Sequence, residues 1–341
     1  MTSYFSSFPS GLSEAVKNAL QQQIKDVKID LLLDGLIVYE CDRPIQQIKQ
    51  IRFFNNTFLL MRLFKKIRPD SIRELMKNVL KNPQSLTIPR WALKDSHSFR
   101  IMASQENQTV TIDKDTLYRM ESFFSHKLNM PVHRSKPDVE VWFLERREGY
   151  GFAGIRLTHS STNEKNLQKG ELRPEIANIL CLISEPRKDE IFLDAFAGSG
   201  AIPIERTKIQ RFKQIIASDH DDETVKALQK RINKTGLKIT CHEADALNLE
   251  QITNKTVDRI VTDPPWGMYE FQDSLTLDKL YSGMLAEFNR ILKDDGIIVV
   301  LMGQKEIFEA ALKRVPLLQT VKKYNILVSG KKAAIYKIKK K

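Results

Sequence analysis

The chain has 341 residues, with 54 Lys or Arg against 42 Asp or Glu, which gives a net charge of +12 at neutral pH. A hydrophobic content of 42% with 28% charged residues is typical of a soluble globular protein and excludes wholesale disorder. The length favours two or three domains, and the basic excess fits either a polyanionic partner or a merely basic soluble protein.

Cysteine usage and hydropathy indicate the compartment. Cys41, Cys181 and Cys241 lie far apart and form no metal-binding pattern, so neither a disulfide framework nor a thiolate zinc site is expected. The amino terminus lacks the features of a signal peptide. The longest apolar runs, such as residues 297–302, are far shorter than the roughly 20 residues of a membrane-spanning helix. We therefore expect a cytoplasmic protein without a membrane anchor.

The first 157 residues mix helices and strands, which predicts two small α+β units at 1–84 and 85–157. The predicted elements in chain order are a helix at 11–26, strands at 29–33 and 36–39 around Asp34-Gly35, a helix at 71–81, a strand at 99–103, a helix at 116–128, and strands at 139–144 and 151–158.

A polar segment at 158–169 predicts a linker, after which the pattern changes. Short apolar runs separated by helical stretches predict βαβ units and a doubly wound parallel sheet over 170–341. The predicted elements are strands at 191–193, 215–217, 239–241, 259–261 and 297–302, a helix at 222–235, and an edge hairpin formed by 324–328 and 334–338.

A glycine-rich turn follows the first of these strands, in the segment Phe192-Leu193-Asp194-Ala195-Phe196-Ala197-Gly198-Ser199-Gly200. A Gly-x-Gly turn lets backbone N–H groups approach a ligand closely. Asp219, at the end of the next strand, is placed to accept hydrogen bonds from ribose hydroxyls. The third glycine of the dinucleotide fingerprint is replaced by Pro203, which favours a nucleoside-like cofactor without a pyrophosphate. The alternative is a tight turn without a ligand.

Two further segments follow strands of the same sheet. In Ala244-Asp245-Ala246 the carboxylate is able to bond an adenine amino group, although a solvated acid is the commoner case. Asp263-Pro264-Pro265-Trp266 combines a carboxylate, a rigid backbone carbonyl and an indole. Such a set accepts hydrogen bonds from an NH2 group and stacks on a base. The alternative is a proline-stiffened loop with a packing tryptophan.

This ordered set resembles the S-adenosylmethionine-dependent amino-methyltransferases. The segment Gly170-Glu171-Leu172-Arg173-Pro174-Glu175-Ile176-Ala177 is similar to the Leu-Arg-Pro segment of RNA guanine-N2 methyltransferases, whose backbone lines the methionine end of the cofactor. The segments at 136–141 and 151–155 are similar to the end of a THUMP domain, and 8–12 is weakly similar to the start of a ferredoxin-like domain. The resemblance covers nearly the whole chain and is strongest at 170–303.

The resemblance implies a Rossmann-like methyltransferase domain at 170–341, preceded by a ferredoxin-like domain at 1–84, a THUMP RNA-binding domain at 85–157 and the linker. It implies S-adenosylmethionine as cofactor and Asp263, Pro264, Pro265 and Trp266 as the catalytic segment. The implied cofactor contacts are Leu172, Arg173, Pro174, Asp194, Phe196, Ala197, Gly198, Ser199, Gly200, Asp219, His220, Asp245, Ala246 and Asp263. As a lone histidine, His220 also fits a surface role.

The implied activity is methylation of the N2 amine of a guanosine in tRNA. Asp263 and the Pro264 carbonyl would accept the two protons of the amine, and Trp266 would hold a base flipped from its stack. The alternatives are methylation of ribosomal RNA, amino-methylation of DNA, and a non-catalytic RNA-binding protein with a relict methyltransferase fold.

Three basic pairs are candidate phosphate contacts, although a solvated surface is the commoner role of such pairs. They are Lys65-Lys66, Arg146-Arg147 and Lys331-Lys332. We expect tRNA or another structured RNA as partner, no metal ion, no membrane, and a monomer or weak dimer.

Overall fold

The computed structural model describes residues 1–68, 72–88, 90–158, 167, 171–267 and 274–341. The chain divides into two compact units. The first comprises Met1–Ser7 and Gln23–Ser161, and the second comprises Phe8–Gln22 and Thr162–Lys341. Each unit contains one sheet with helices, which confirms the predicted α/β class. Most of the predicted linker lies outside the described residues.

In the described part of the first unit, eight strands form one mixed sheet. The strands are β1 (Thr2–Ser7), β2 (Lys28–Leu33), β3 (Leu36–Cys41), β4 (Asn56–Lys65), β5 (Phe99–Gln105), β6 (Gln108–Thr109), β7 (Val139–Arg146) and β8 (Tyr150–Arg156). Their order is β2-β3-β1-β4-β8-β7-β5-β6, and β5 and β7 form the parallel pair in this otherwise antiparallel sheet. Both predicted amino-terminal domains supply strands to it, and the boundary near residue 84 stays a prediction.

The described part of the first unit contains three α-helices, and aromatic rings pack the last of them on the sheet. The helices are α2 (Ile45–Lys49), α3 (Ile72–Lys81) and α4 (Lys114–Leu128), with α1 placed in the second unit. Helix α4 begins after Asp113, whose carboxylate accepts the N–H of Thr116 at 3.0 Å. Phe124 of α4 lies with its ring centroid 6.4 Å from that of Phe99 and 6.1 Å from that of Phe143. Burial of these rings holds α4 on one face of the sheet.

Seven strands in the described part of the second unit form the other sheet. They are β9 (Ile191–Asp194), β10 (Gln214–Asp219), β11 (Thr240–Glu243), β12 (Val257–Thr262), β13 (Leu292–Met302), β14 (Leu318–Val328) and β15 (Lys331–Lys340). The described helices are α1 (Ser13–Gln23), α5 (Pro174–Ile183), α6 (Ala201–Thr207), α7 (Asp222–Thr235), α8 (Ser274–Ile291) and α9 (Lys305–Lys313). All six residues of β12 are buried, as in a parallel sheet covered on both faces.

The strand order of this sheet defines where a ligand can bind. The order is β11-β10-β9-β12-β13-β15-β14. Strands β9 to β13 pair in parallel with one another, whereas β15 pairs antiparallel with both β13 and β14. Successive crossovers run to opposite sides of β9, which lies between β10 and β12. Ligands of doubly wound sheets bind at the carboxyl ends of the strands at such a reversal.

The predicted edge hairpin is confirmed, but its strands are longer than expected. Strands β14 and β15 leave only Ser329 and Gly330 in the turn, with φ of +49° and +79°. Two successive residues at positive φ match the right-handed twist of the flanking strands. The basic pair at 331–332 therefore lies at the start of β15.

The segment at residues 8–22 packs in the second unit, although β1 and β2 of the first unit flank it in the chain. Gly11 has a φ of +89°, and a Cβ atom there would lie 1.8 Å from the carbonyl oxygen of Asn325 in β14. Lys322 of β14 forms an ion pair with Glu14 at 2.5 Å. The close approach therefore requires glycine at position 11.

Gly11→Ala is expected to lower the free energy of unfolding of the second unit by about 3 kcal/mol. The substitution would force alanine into a left-handed backbone conformation, and its Cβ would overlap the Asn325 carbonyl oxygen. Gly236→Ala is the matched control, since Gly236 also has positive φ (+66°) but no atom within 4 Å of its Cβ position. That control should cost only about 1 kcal/mol. Calorimetric unfolding of the two variants tests this, and equal destabilisation would contradict it.

Candidate functional site

The glycine-rich turn after β9 is held by backbone donors. The N–H of Ala197 donates to the Ser218 carbonyl at 2.9 Å, and that of Gly198 donates to Oδ2 of Asp219 at 2.9 Å. Gly200, at φ +83°, lies so close to Leu228 of α7 that a Cβ atom would be 2.3 Å from Cδ1. A Cβ at Gly198 would meet nothing within 4 Å. The turn thus packs against α7 at Gly200, whereas the space beside Gly198 is free for a ligand.

A pocket of about 540 Å³ lies over this turn. It brings together seven residues predicted from the sequence, namely Leu172, Asp194, Phe196, Ala197, Gly198, Ser199 and Asp263. Its other lining residues are Glu171, Ala201, Ile202, Thr224, Ala227, Leu228 and Arg231. The glycine-rich turn and the first residue of the proline-rich segment therefore share one cavity, as expected from the order of β9 and β12.

The remaining predicted cofactor contacts do not line this pocket in the described structure. They are Arg173, Pro174, Gly200, Asp219, His220, Asp245 and Ala246. Arg173 and Pro174 begin helix α5, where proline at the first turn needs no N–H partner. The side chain of Arg173 pairs with Glu175.

Asp219 is the last residue of β10, and Asp245 follows β11 at the same edge of the sheet. Asp219 binds the glycine turn through Oδ2, and its Oδ1 lies 3.3 Å from Nδ1 of His220, whose side chain is 70% exposed. Oδ1 of Asp245 accepts the N–H of Leu247 at 2.9 Å. In this structure both acids stabilise loops, and their predicted cofactor contacts stay predictions.

A charged pair at the pocket was not predicted from the sequence. Nη1 of Arg231 lies 3.0 Å from Oε1 of Glu171 and donates to the Ser199 carbonyl at 2.9 Å. Glu171 adjoins the predicted Leu-Arg-Pro segment, which is the one local signal for it. Arg231 lies one helical turn beyond Leu228 on α7, and only the tertiary fold brings it to the pocket.

A buried carboxyl group, Asp194, and a partly buried one, Asp263, lie at the centre of the site. Oδ1 of Asp194 accepts the Thr262 hydroxyl at 2.7 Å and the N–H of Phe196 at 3.2 Å. Burial, with a contribution from the charge of Asp219, raises the pKa of Asp194 to about 7. Burial, with a contribution from the charge of Asp194, likewise raises the pKa of Asp263 to about 7.

The segment after Asp263 is held by two neighbouring elements. The Tyr281 hydroxyl of α8 donates to the Pro265 carbonyl at 2.7 Å, and Nε2 of Gln304 donates to the Trp266 carbonyl at 3.1 Å. The indole Nε1–H of Trp266 donates to Oδ1 of Asp263 at 2.9 Å. The tryptophan expected to hold a base therefore also contacts the central carboxylate.

The candidate phosphate contacts differ in exposure. Lys65, Lys66, Arg147 and Lys332 are exposed, and Lys331 is partly exposed. Arg146 is 5% exposed, and its guanidinium donates to Glu148, to Asn107 and to the Asp34 carbonyl. Because these partners occupy Arg146 inside the protein, its geometry argues against the predicted phosphate contact.

Within the described ranges, no group of three or more His, Cys, Asp or Glu side chains is arranged to hold a metal ion. In the same part of the chain, no helix combines the length and the apolar character needed to cross a membrane.

The raised pKa of Asp263 predicts a pH-dependent cost to stability. Between about pH 4 and pH 7 the folded protein keeps protons on Asp194 and Asp263 that the unfolded chain releases, so stability falls as the pH rises through that window. Asp263→Asn keeps an acceptor for Trp266 without the charge. It should raise the free energy of unfolding at pH 8.5 by up to about 4 kcal/mol, which corresponds to three pKa units, and change little at pH 4. An equal effect at both pH values in chemical denaturation would contradict the assignment.

Residues 163–334 match the family UPF0020, described as an RMKL-like methyltransferase domain. The tRNA (guanine(6)-N2)-methyltransferase of Thermus thermophilus is 28% identical over 189 residues, covering 54% of this chain and 56% of that protein. The mouse tRNA (guanine(6)-N(2))-methyltransferase THUMP3 is 27% identical over 241 residues, covering 65% of this chain and 46% of that protein. The chain spans about half the length of these two relatives. The Methanocaldococcus jannaschii tRNA (guanine(6)-N2)-methyltransferase is 22% identical over 381 residues, covering 96% of this chain and 97% of that protein.

Solved structures show the same fold over the whole chain. TrmN from Thermus thermophilus aligns with a TM-score of 0.78 at 22% identity, covering 100% of both chains. SMU.472, assigned as a methyltransferase and complexed with SAH, aligns with a TM-score of 0.72 at 14% identity, covering 100% of this chain and 98% of the other. The family match spans half of the chain and includes both the glycine-rich turn and Asp263, so the chain belongs to the RMKL-like methyltransferase family UPF0020.

Proposed function

We propose that this chain transfers a methyl group from S-adenosylmethionine to the exocyclic N2 amine of a guanosine in tRNA. The observation that carries the proposal is the shared pocket of the glycine-rich turn and Asp263. The names of the relatives support tRNA as substrate, and the relative matched over 96% of the chain acts on guanine 6, which we take as the expected nucleotide.

The pocket has the properties that S-adenosylmethionine requires. Its volume of about 540 Å³ lies within the range of small-molecule sites. The open flank at Gly198 lets a ligand approach the backbone, while Glu171 and Arg231 offer opposite charges for the ammonium and carboxylate of a methionine group. When bound, this cofactor supplies an electrophilic methyl group on a positively charged sulfur. The SAH complex of SMU.472 supports the choice, because SAH is what S-adenosylmethionine becomes after losing that methyl group.

The predicted contacts at the other strand ends extend the site toward a nucleoside. We assign Asp219 to the ribose hydroxyls and Asp245 to the adenine amino group, with His220 and Ala246 beside them. Leu172, Arg173 and Pro174 place Glu171 at the methionine end. Asp194 lines the pocket beside the turn, and a nearby sulfonium would stabilise its charged form, which burial disfavours.

Asp263 and the Pro264 carbonyl act on the amine of the substrate. The lone pair of a guanine amine is delocalised into the ring, so the amine is a poor nucleophile. Two acceptors for its two protons bias the nitrogen toward a tetrahedral geometry and aim its lone pair at the methyl group. A pKa of about 7 suits Asp263 to accept a proton after transfer. The base must leave its stack, and Pro265 and Trp266 shape the place that receives it.

The first unit contains most of the residues of the predicted ferredoxin-like and THUMP domains. We assign tRNA binding to this unit, with the exposed residues Lys65, Lys66 and Arg147 as phosphate contacts. In the second unit, the exposed Lys332 is a further phosphate contact. A cytoplasmic location and a monomer or weak dimer complete the proposal.

Asp263→Ala is expected to lower methyl transfer to tRNA by at least about a hundredfold, because it removes the acceptor of the amine proton. RNA binding, measured by filter retention, should stay within about threefold of wild type. Asp295→Ala, which removes an exposed carboxylate paired with Arg187, is the control and should keep full activity. Survival of methylation in Asp263→Ala would refute the mechanism, and its absence in the wild-type protein would favour the RNA-binding alternative.

Arg231→Gln is expected to weaken binding of S-adenosylhomocysteine about tenfold in calorimetry, because it removes a charged donor from the methionine end. Arg211→Gln removes an exposed arginine paired with Asp189 and should leave binding unchanged. Equal affinities of the wild-type protein and the Arg231 variant would show that this end of the pocket does not hold the methionine group.

A further inference from the structure

The indole of Trp266 makes a contact that base stacking does not require. Its Nε1–H donates to Oδ1 of Asp263 at 2.9 Å. The backbone on either side of the Trp266 Cα is fixed, since Tyr281 donates to the carbonyl of Pro265 and Gln304 donates to that of Trp266. The direction of the N–H group is therefore set mainly by the side-chain torsions of Trp266.

The indole ring is also restricted by the chain beyond β13. A Cβ atom at Gly303 would lie 2.5 Å from Cε3, 2.6 Å from Cδ2 and 3.0 Å from Cγ of Trp266. Only glycine allows the ring to approach the backbone so closely. The ring is thus packed on one side while its N–H group points at the carboxylate.

The two oxygens of Asp263 are in different situations. Oδ1 accepts the indole N–H, and among the described residues no other group donates a hydrogen bond to this carboxylate. Asp263 lines the pocket, and no described residue donates a hydrogen bond to its second oxygen, Oδ2. The mechanism needs only one oxygen of Asp263 to accept from the amine, because the Pro264 carbonyl accepts the other proton.

We propose that Trp266 is a positioning residue, whose indole N–H holds one oxygen of Asp263 and orients the other toward the amine of the substrate. This proposal rests on the proposed function and assigns Trp266 a role beyond contact with the base. Rotation of a carboxylate about its last torsion is soft, and a charge-assisted hydrogen bond to one oxygen restricts it.

The same hydrogen bond affects the protonation of Asp263. Burial and the charge of Asp194 raise the pKa of Asp263, whereas donation from Trp266 lowers it. The hydroxyl of Tyr281 is the further titratable group that interacts with it, and Glu171 and Arg231 are the other charged groups that line the pocket. Loss of the indole donor should therefore raise the pKa of Asp263 further and leave less carboxylate at neutral pH.

A competing interpretation gives the same contact the opposite effect. The indole N–H could occupy the place that the amine takes in the complex and leave it when the substrate binds. Removal of the N–H would then free Asp263 and increase activity, whereas positioning requires that activity falls. One substitution separates the two.

Trp266→Phe keeps an aromatic ring and removes the donor. At pH 7 we expect kcat to fall about tenfold, with KM for tRNA changed less than about threefold, because the ring still contacts the base. The acid limb of the pH profile of kcat should move to higher pH, and activity should partly recover near pH 9. An unchanged or raised kcat would overturn the proposal, as would a loss of kcat without a shift of the acid limb.

A second measurement uses the cofactor-free protein and needs no activity. The fluorescence of Trp266 should change with a midpoint near pH 7, where Asp263 titrates, and the change should be absent in Trp266→Phe and Asp263→Asn. A second tryptophan–carboxylate hydrogen bond serves as the control, since Nε1 of Trp142 donates to Oε2 of Glu140 at 2.8 Å. Hydrogen bonds from Trp142 and Arg100, with the charges of Arg100 and Arg156, outweigh burial and lower the pKa of Glu140, so this pair titrates at acid pH.

Trp142→Phe should therefore leave the midpoint near pH 7 unchanged. A midpoint that survives in Asp263→Asn would show that the indole does not sense Asp263 and would overturn the proposal. Failure of the proposed function gives a different pattern, because the wild-type protein would then methylate no RNA while the fluorescence titration still followed Asp263.

Discussion

The placement of a buried and a partly buried carboxyl group at the carboxyl ends of neighbouring strands is the constraint on which the site depends. Strand β9 lies between β10 and β12, so Asp194 at the end of β9 lies beside Thr262 and Asp263 at the end of β12. The crossovers run to opposite sides of β9 and leave a crevice at this point. The glycine-rich turn borders the crevice, and the rest of the second unit supports the arrangement.

This arrangement costs stability and prepares the site for a cation. Each carboxyl group is disfavoured as an anion by burial and by the neighbouring negative charge, and each has a pKa raised to about 7. A positively charged ligand reverses that balance, because it interacts favourably with both anions in a region of low dielectric constant. The sulfonium group of the proposed cofactor has the required charge, so the energetic cost of the empty site becomes binding energy for one class of ligand.

The sequence predicted the parts of the site that are local in the chain, and missed the parts created by tertiary contacts. Asp194 to Gly200 and Asp263 to Trp266 are short segments whose chemistry can be read from residue types, and the fold brings members of both to one pocket. The charged pair of Glu171 and Arg231 joins residues 60 positions apart, which no local pattern indicates.

The same distinction explains the misses elsewhere in the chain. Strands β1 and β4 were not predicted, since they form through pairing with distant strands and lack flanking turn signals as clear as Asp34-Gly35. The helix predicted at 11–26 is observed as Ser13–Gln23, but its membership of the second unit depends on the close approach of Gly11 to β14. Arg146 resembles a surface charge in the sequence, whereas the fold buries it among three acceptors.

The most direct test of the central claim is to identify the modified nucleoside. The purified protein would be incubated with methyl-labelled S-adenosylmethionine and unmodified tRNA, and the digested RNA would be analysed by mass spectrometry. We predict that the label appears in N2-methylguanosine and maps to guanine 6. Label confined to another base, or no label in RNA while the protein binds the cofactor, would contradict the account.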